Sequence, residues 1–118
     1  MNRTIAALTI ALAAMITSVS PAHADDPQPT TEQLEQAKKA FGEGKALHDA
    51  GKLTEAIDKF KESYRLSRNP VLLYNIGLTL DEAGQKDTAL FYYRKFLSDA
   101  PQTAGQRPTA NERVKLLE

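Results

Sequence analysis

Leu73 to Pro101 reads LYNIGLTLDEAGQKDTALFYYRKFLSDAP, and the fold follows from this stretch. Apolar and small residues recur every three or four positions, at Leu73, Ile76, Gly77 and Leu80 and again at Ala89, Leu90, Tyr93, Phe96 and Leu97. That spacing marks one buried face of a helix with about 3.6 residues per turn. Gly84 interrupts the pattern where a left-handed backbone would end a helix, and Pro101 stops the second run. The segment therefore predicts a helix ending near Ala83, with Leu72 also on its inner face, then a tight turn and a second helix over about 87–99. Helices joined this closely fold back on one another.

The pattern recurs upstream. A shift of 33 positions lays Ala37–Asn69 over Pro70–Gln102 and places Gly44 on Gly77, Leu47 on Leu80, Ala50 on Ala83, Gly51 on Gly84 and Ala56 on Ala89. Conservative pairs accompany these: Phe41 with Tyr74, Ile57 with Leu90, Phe60 with Tyr93, Lys61 with Arg94. Small residues sit where two helices must touch, and glycines where a turn needs positive φ. The upstream copy predicts a helix from Glu32 to about Ala50, capped by a Thr30/Gln33 box and by Gly51. Its inner face holds Leu34, Ala37, Ala40, Phe41, Gly44 and Leu47. A second helix over about 54–67 has Leu53, Ala56, Ile57, Phe60, Tyr64 and Leu66 as its expected buried stripe. Asn69-Pro70 reads as a helix restart, with Asn69 as cap and Pro70 in the first turn. Nothing reads as a strand.

These residues resemble the tetratricopeptide repeat (TPR), a helix–turn–helix unit of about 34 residues. Tyr74-Asn75-Ile76-Gly77, Leu80, Gly84, Ala89, Tyr93 and Pro101 fall on the repeat pattern. The first unit departs from it: Glu43 stands where an apolar residue is usual, and Pro70 arrives slightly late. The resemblance spans Glu32 to Pro101. It implies an all-α fold of two stacked repeats, about 37–69 and 70–102 within a region 32–103, forming a short right-handed solenoid. Residues 104–118 would supply a linker and an amphipathic capping helix with Val114 and Leu117 on its inner side. One hairpin cannot bury its stripe alone, and stacking a second buries both. A domain this small buries only about 60% of its unfolded surface, so modest stability is expected.

Met1 to Ala24 reads MNRTIAALTIALAAMITSVSPAHA. Arg3 gives a basic start, Ile5 to Val19 is mostly apolar, and Ala22-His23-Ala24 is a small-x-small cleavage site. This is the layout of a bacterial-type secretory signal peptide, and its apolar run falls short of the roughly 20 residues of a bilayer span. Cleavage would leave a solvated arm over 25–31, DDPQPTT, and His48 as the sole histidine. It implies export, with the periplasm as destination and no membrane insertion afterwards.

The whole chain carries 15 basic and 15 acidic side chains, so no global field favours nucleic acid or anionic lipid. Without cysteine there are no disulfides, thiolate metal sites or cysteine nucleophiles. Gly42-Glu43-Gly44-Lys45 fails as a phosphate loop, because Lys39 stands where the first Gly is needed and Ala46 follows the Lys. His48 has only Asp49 beside it, and adjacent helical residues do not face each other. Ser63, Ser67 and Ser98 lack a nucleophile-elbow context. No catalytic, cofactor or metal site is expected.

Phe91-Tyr92-Tyr93 cannot all share one buried stripe. Tyr93 belongs to the core, and Phe91 or Tyr92 is left either for the C-terminal segment to cover or for a contact surface. In the TPR family the working surface is the concave face lined by the first helix of each unit. Carried over, it comprises Lys38, Phe41, Lys45, His48, Tyr74, Asn75, Leu78 and Asp81, with Phe41 and Tyr74 also able to serve as packing between helices. The family's clamp for C-terminal carboxylates is matched only at Asn75, since Phe41 and Lys45 replace its Lys and Asn. The resemblance thus implies an exported scaffold that binds a protein or peptide in its groove, without catalysis. Alternatives are the N-terminal module of a larger exported TPR protein, or a structural envelope protein that associates with itself, for example as a homodimer.

Overall fold

The structure, a computed structural model, describes residues 27–118; the predicted signal peptide lies outside the described residues, and the predicted arm lies partly outside them. Five helices follow in order: α1 (Thr31–Asp49), α2 (Leu53–Ser67), α3 (Val71–Glu82), α4 (Lys86–Asp99) and α5 (Arg107–Leu117). No strand occurs among the described residues, so the fold is all-α. At the start of α1 the Thr30 hydroxyl accepts from the Gln33 N–H at 3.1 Å, and Gln33 Oε1 accepts from the Thr30 N–H at 2.8 Å. The expected capping box is formed.

The 33-residue spacing of the sequence reappears as geometry. Gly51 and Gly84 have φ of 77° and 81°, a conformation in which a Cβ would crowd the backbone. The residues after them, Lys52 and Gln85, have φ/ψ of −86°/71° and −86°/70°. The Lys52 N–H donates to Leu47 O and the Gln85 N–H to Leu80 O, both at 2.9 Å. The Gly51 N–H donates to His48 O and the Gly84 N–H to Asp81 O, both at 3.0 Å. These crossed bonds are the Schellman motif, which satisfies the last carbonyls of α1 and α3 while reversing the chain.

The helix pairs so formed close around small residues. A Cβ on Gly44 would lie 2.8 Å from the Phe60 ring, and one on Gly77 would lie 3.1 Å from the Tyr93 ring. Phe41 tilts on Phe60 with ring centroids 5.9 Å apart, and Tyr74 tilts on Tyr93 at 6.0 Å. Ala56 and Ala89 are fully buried at matching places. Between the pairs, Leu72, Leu73 and Ile76 of α3 join Ile57 and Phe60 of α2 in one continuous core.

The joints between units owe less to glycine. Arg68 ends α2 in the left-handed region at φ 56°, a conformation that a glycine-based reading misses. Asn69 Oδ1 accepts from the Val71 N–H at 3.1 Å, while Pro70 is helical at φ −61°, ψ −23°. Asn69 thus performs the capping expected of it. After α4, Arg107 reaches back and donates to Leu97 O at 2.9 Å and to Ala100 O at 3.2 Å, closing the end of that helix. Then α5 lies against α4 through the fully buried Ala110, with Val114 and Leu117 on the core and Leu116 turned to solvent.

Candidate functional site

On α1, Ala37, Ala40 and Gly44 are buried. One step round the same helix runs a second stripe, Leu34, Lys38, Phe41, Lys45 and His48, at alternating spacings of four and three. On α3 the opposing stripe is Val71, Leu72, Asn75, Leu78 and Thr79. The two stripes and the inner side of α2 enclose two adjoining cavities of about 290 and 320 Å³. The first lies between Leu34, Ala37, Lys38 and Phe41 on one wall and Val71, Leu72 and Asn75 on the other, with Ser63 and Ser67 of α2 between. The second continues past Phe41, Val71 and Asn75 to Lys45, His48, Asp49, Leu78, Thr79 and Gln106. Together they form a groove with an apolar lining and polar edges. Each volume is near the lower end of small-molecule sites, roughly 300–1,000 Å³, and suits side chains inserted from a longer ligand.

Six of the predicted groove residues meet here: Lys38, Phe41, Lys45, His48, Asn75 and Leu78. Lys45 holds its ammonium 5.8 Å from the centroid of the Phe41 ring. Asn75 borders both cavities, and among the described residues its side-chain amide has no hydrogen-bond partner. His48 spans the far end of the groove and donates from Nε2 to Glu82 Oε2 at 2.5 Å, tying α1 to α3. That hydrogen bond raises the His48 pKa above its ordinary value; burial opposes the rise, and the charges of Glu82 and Asp49 add to it. Contrary to the adjacency argument, Asp49 does approach His48, with Oδ1 3.5 Å from Nδ1. It closes the last turn of α1, and its exposed side chain is free to follow the helix surface.

Two predicted residues go elsewhere. Tyr74 borders neither cavity. It packs on Tyr93 and on Phe96, 5.6 Å away between ring centroids, so its interhelical packing role is the one realised. The expectation that Asp81 offers its carboxylate in the groove is corrected, because Asp81 is only 6% exposed. Its Oδ2 accepts from Arg113 Nε at 2.7 Å and from the Tyr93 hydroxyl at 3.2 Å. Its Oδ1 accepts from Arg113 Nη2 at 2.9 Å and from Lys86 Nζ at 2.6 Å. Arg113 is the main cause that holds the Asp81 carboxyl down at about 2, with Lys86 and Tyr93 assisting against burial. Burial and the facing Asp81 charge push the Tyr93 hydroxyl far up. Asp81 and His48 are equivalent under the 33-residue shift, and each ties its helix to the element that follows the hairpin.

Sequence reasoning did not place Leu34, Val71 and Leu72 in the groove, having read Leu34 and Leu72 as core positions only. Leu34 is 48% exposed at the mouth, and its place on the Lys38/Phe41/Lys45 stripe was the available signal. Away from the groove, Phe91 is 60% exposed and stands edge-to-face with Tyr92, ring centroids 5.3 Å apart, and the Tyr92 ring lies beneath the Lys61 ammonium. Among the described residues no three His, Cys, Asp or Glu side chains gather in metal-binding geometry, and no helix is long and apolar enough to cross a membrane. No protein-family model matches the sequence.

Proposed function

We propose that this chain is an exported scaffold of the tetratricopeptide type, which holds a segment of another protein in the groove between α1 and α3. Two units, about 37–69 and 70–102, would stack as a short right-handed solenoid with α5 as its cap. The repeated Schellman turns and the paired Gly44–Phe60 and Gly77–Tyr93 contacts support that reading. Met1–Ala24 supports export to the periplasm. The observation that carries the function is the groove: an apolar lining, an unpaired amide at its centre and cationic side chains along one wall. A peptide main chain needs donors and acceptors, and Asn75 supplies both. Its side chains need apolar sockets, and Phe41, Leu72 and Leu78 supply those.

The test is capture from a native envelope extract with the purified chain, beside Asn75→Ala/Leu78→Glu and a control outside the groove, Phe91→Ser. A partner retained by the wild type and the control, and lost by the groove variant, is expected. Retention by all three would place binding outside the groove. A second reading is favoured by Phe91: if that exposed ring joins two copies, sedimentation will show a dimer that Phe91→Ser dissociates.

A further inference from the structure

The groove's charge is one-sided. Its α3 wall, Val71, Leu72, Asn75, Leu78 and Thr79, carries no charged side chain. On the α1 wall, Lys38 and Lys45 stand seven residues apart, about 10 Å along the helix axis. Both are exposed, and among the described residues neither has a carboxylate within 4.0 Å. Three acids of the neighbouring helices are engaged elsewhere: Glu43 with Lys59 at 2.9 Å, Glu82 with His48, and Asp81 with Arg113 and Lys86. Asp49, the one acid on the cavity walls, sits at the far end against His48. The cation–π contact with Phe41 holds the Lys45 charge directly above the apolar lining.

Resting on the groove reading, we infer that the ligand is an acidic peptide segment. One apolar side chain seats between Phe41 and Leu72, and carboxylates on either side of it pair with Lys38 and Lys45. Asn75 takes the intervening peptide unit. Two lysines on an otherwise neutral chain are too few to attract a polyanion, so nucleic acid and anionic lipid are disfavoured. A pair of carboxylates spaced about 10 Å apart matches them. An extended segment meets that span with acids three residues apart, and a helical one with acids seven apart.

The test uses the full chain and fluorescein-labelled twelve-residue peptides that carry a single Leu flanked by Glu at varied spacings. Matched series place Gln or Lys at the flanking positions, and anisotropy reads the affinity. The Glu series should bind about tenfold tighter than the Gln series, the fold-change that two partly exposed ion pairs supply together. Lys38→Glu/Lys45→Glu should reverse the order and favour the Lys series. Both positions are solvent-exposed, so the fold, checked by circular dichroism, should be unchanged. Equal binding of the Glu and Gln series, abolished by Asn75→Ala/Leu78→Glu, would overturn the acidic preference and leave the groove standing. Binding that neither groove variant alters, or no binding by any series, would overturn both.

Discussion

Asp81→Asn tests how α5 is held to α3, and its consequence can be worked from the structure. The carboxylate is sealed from solvent and bonded by Arg113, Lys86 and Tyr93, and its pKa falls from an ordinary 3.8 to about 2. A shift of one pKa unit corresponds to about 1.4 kcal/mol. Lys86 remains 53% exposed and Arg113 32%, so solvent screens part of that gain and leaves about 2 kcal/mol for the charged form. The folded pKa lies below the unfolded one. The contribution is therefore fully present above about pH 4 and is lost as pH falls through the interval from 3.8 to about 2. Urea unfolding of the wild type and of Asp81→Asn at pH 7, 4, 3 and 2.5 reads it directly. The variant should be less stable by about 2 kcal/mol at pH 7, and the gap should narrow steadily below pH 4. Other carboxylates titrate alike in both proteins and cancel. A gap of constant size across this range would show that the Asp81 charge is not held by the fold, and the network described here would be wrong.

His48 shifts in the opposite sense, since its pKa is raised above 6.5 by the hydrogen bond to Glu82. Its contribution to stability is therefore complete below that value and is lost as pH rises through the folded pKa. An NMR titration should place the His48 ring above 6.5, and Glu82→Gln should bring it down; an unchanged midpoint would show that the α1–α3 tie does not form in solution. The glycines should separate by role in thermal unfolding. Gly42→Ala should stabilise by about 0.5–1 kcal/mol, because its Cβ meets nothing within 4 Å in an exposed helix interior. Gly84→Ala should cost about 1 kcal/mol at φ 81°, and Gly77→Leu should cost about 2–3 kcal/mol by driving α3 off the Tyr93 ring. A midpoint unmoved by Gly77→Leu would contradict the close packing of α3 on α4 at Tyr93.

Local signals made most of the fold legible. Glycine at 51 and 84, the three-and-four spacing of apolar positions and the Thr30/Gln33 pair each act within a few residues of themselves, so the helices start and stop within about a residue of their expected places. The groove was legible for a related reason: Lys38, Phe41, Lys45 and His48 share one stripe of one helix. What escaped depends on contacts made at long range. Arg113 and Asp81 are 32 residues apart, and nothing in either neighbourhood announces their meeting. Arg107 closes α4 from beyond a turn that carries no periodic pattern. Arg68 adopts a glycine-like backbone at φ 56° that nothing in its residue type announces. Tyr74 lies on the boundary between two faces of α3, and a helical period alone does not say which face the ring takes.

Site-specific photo-crosslinking tests the central claim most directly. A photoreactive residue is placed at Asn75 or at Phe91 in the full chain, expressed in its own cells, and the adducts are mapped by mass spectrometry. The groove reading predicts a discrete adduct with a peptide of another protein from position 75 and none of that adduct from position 91. The same adduct from position 91 alone, or adducts from position 75 only to a second copy of the chain, would contradict it.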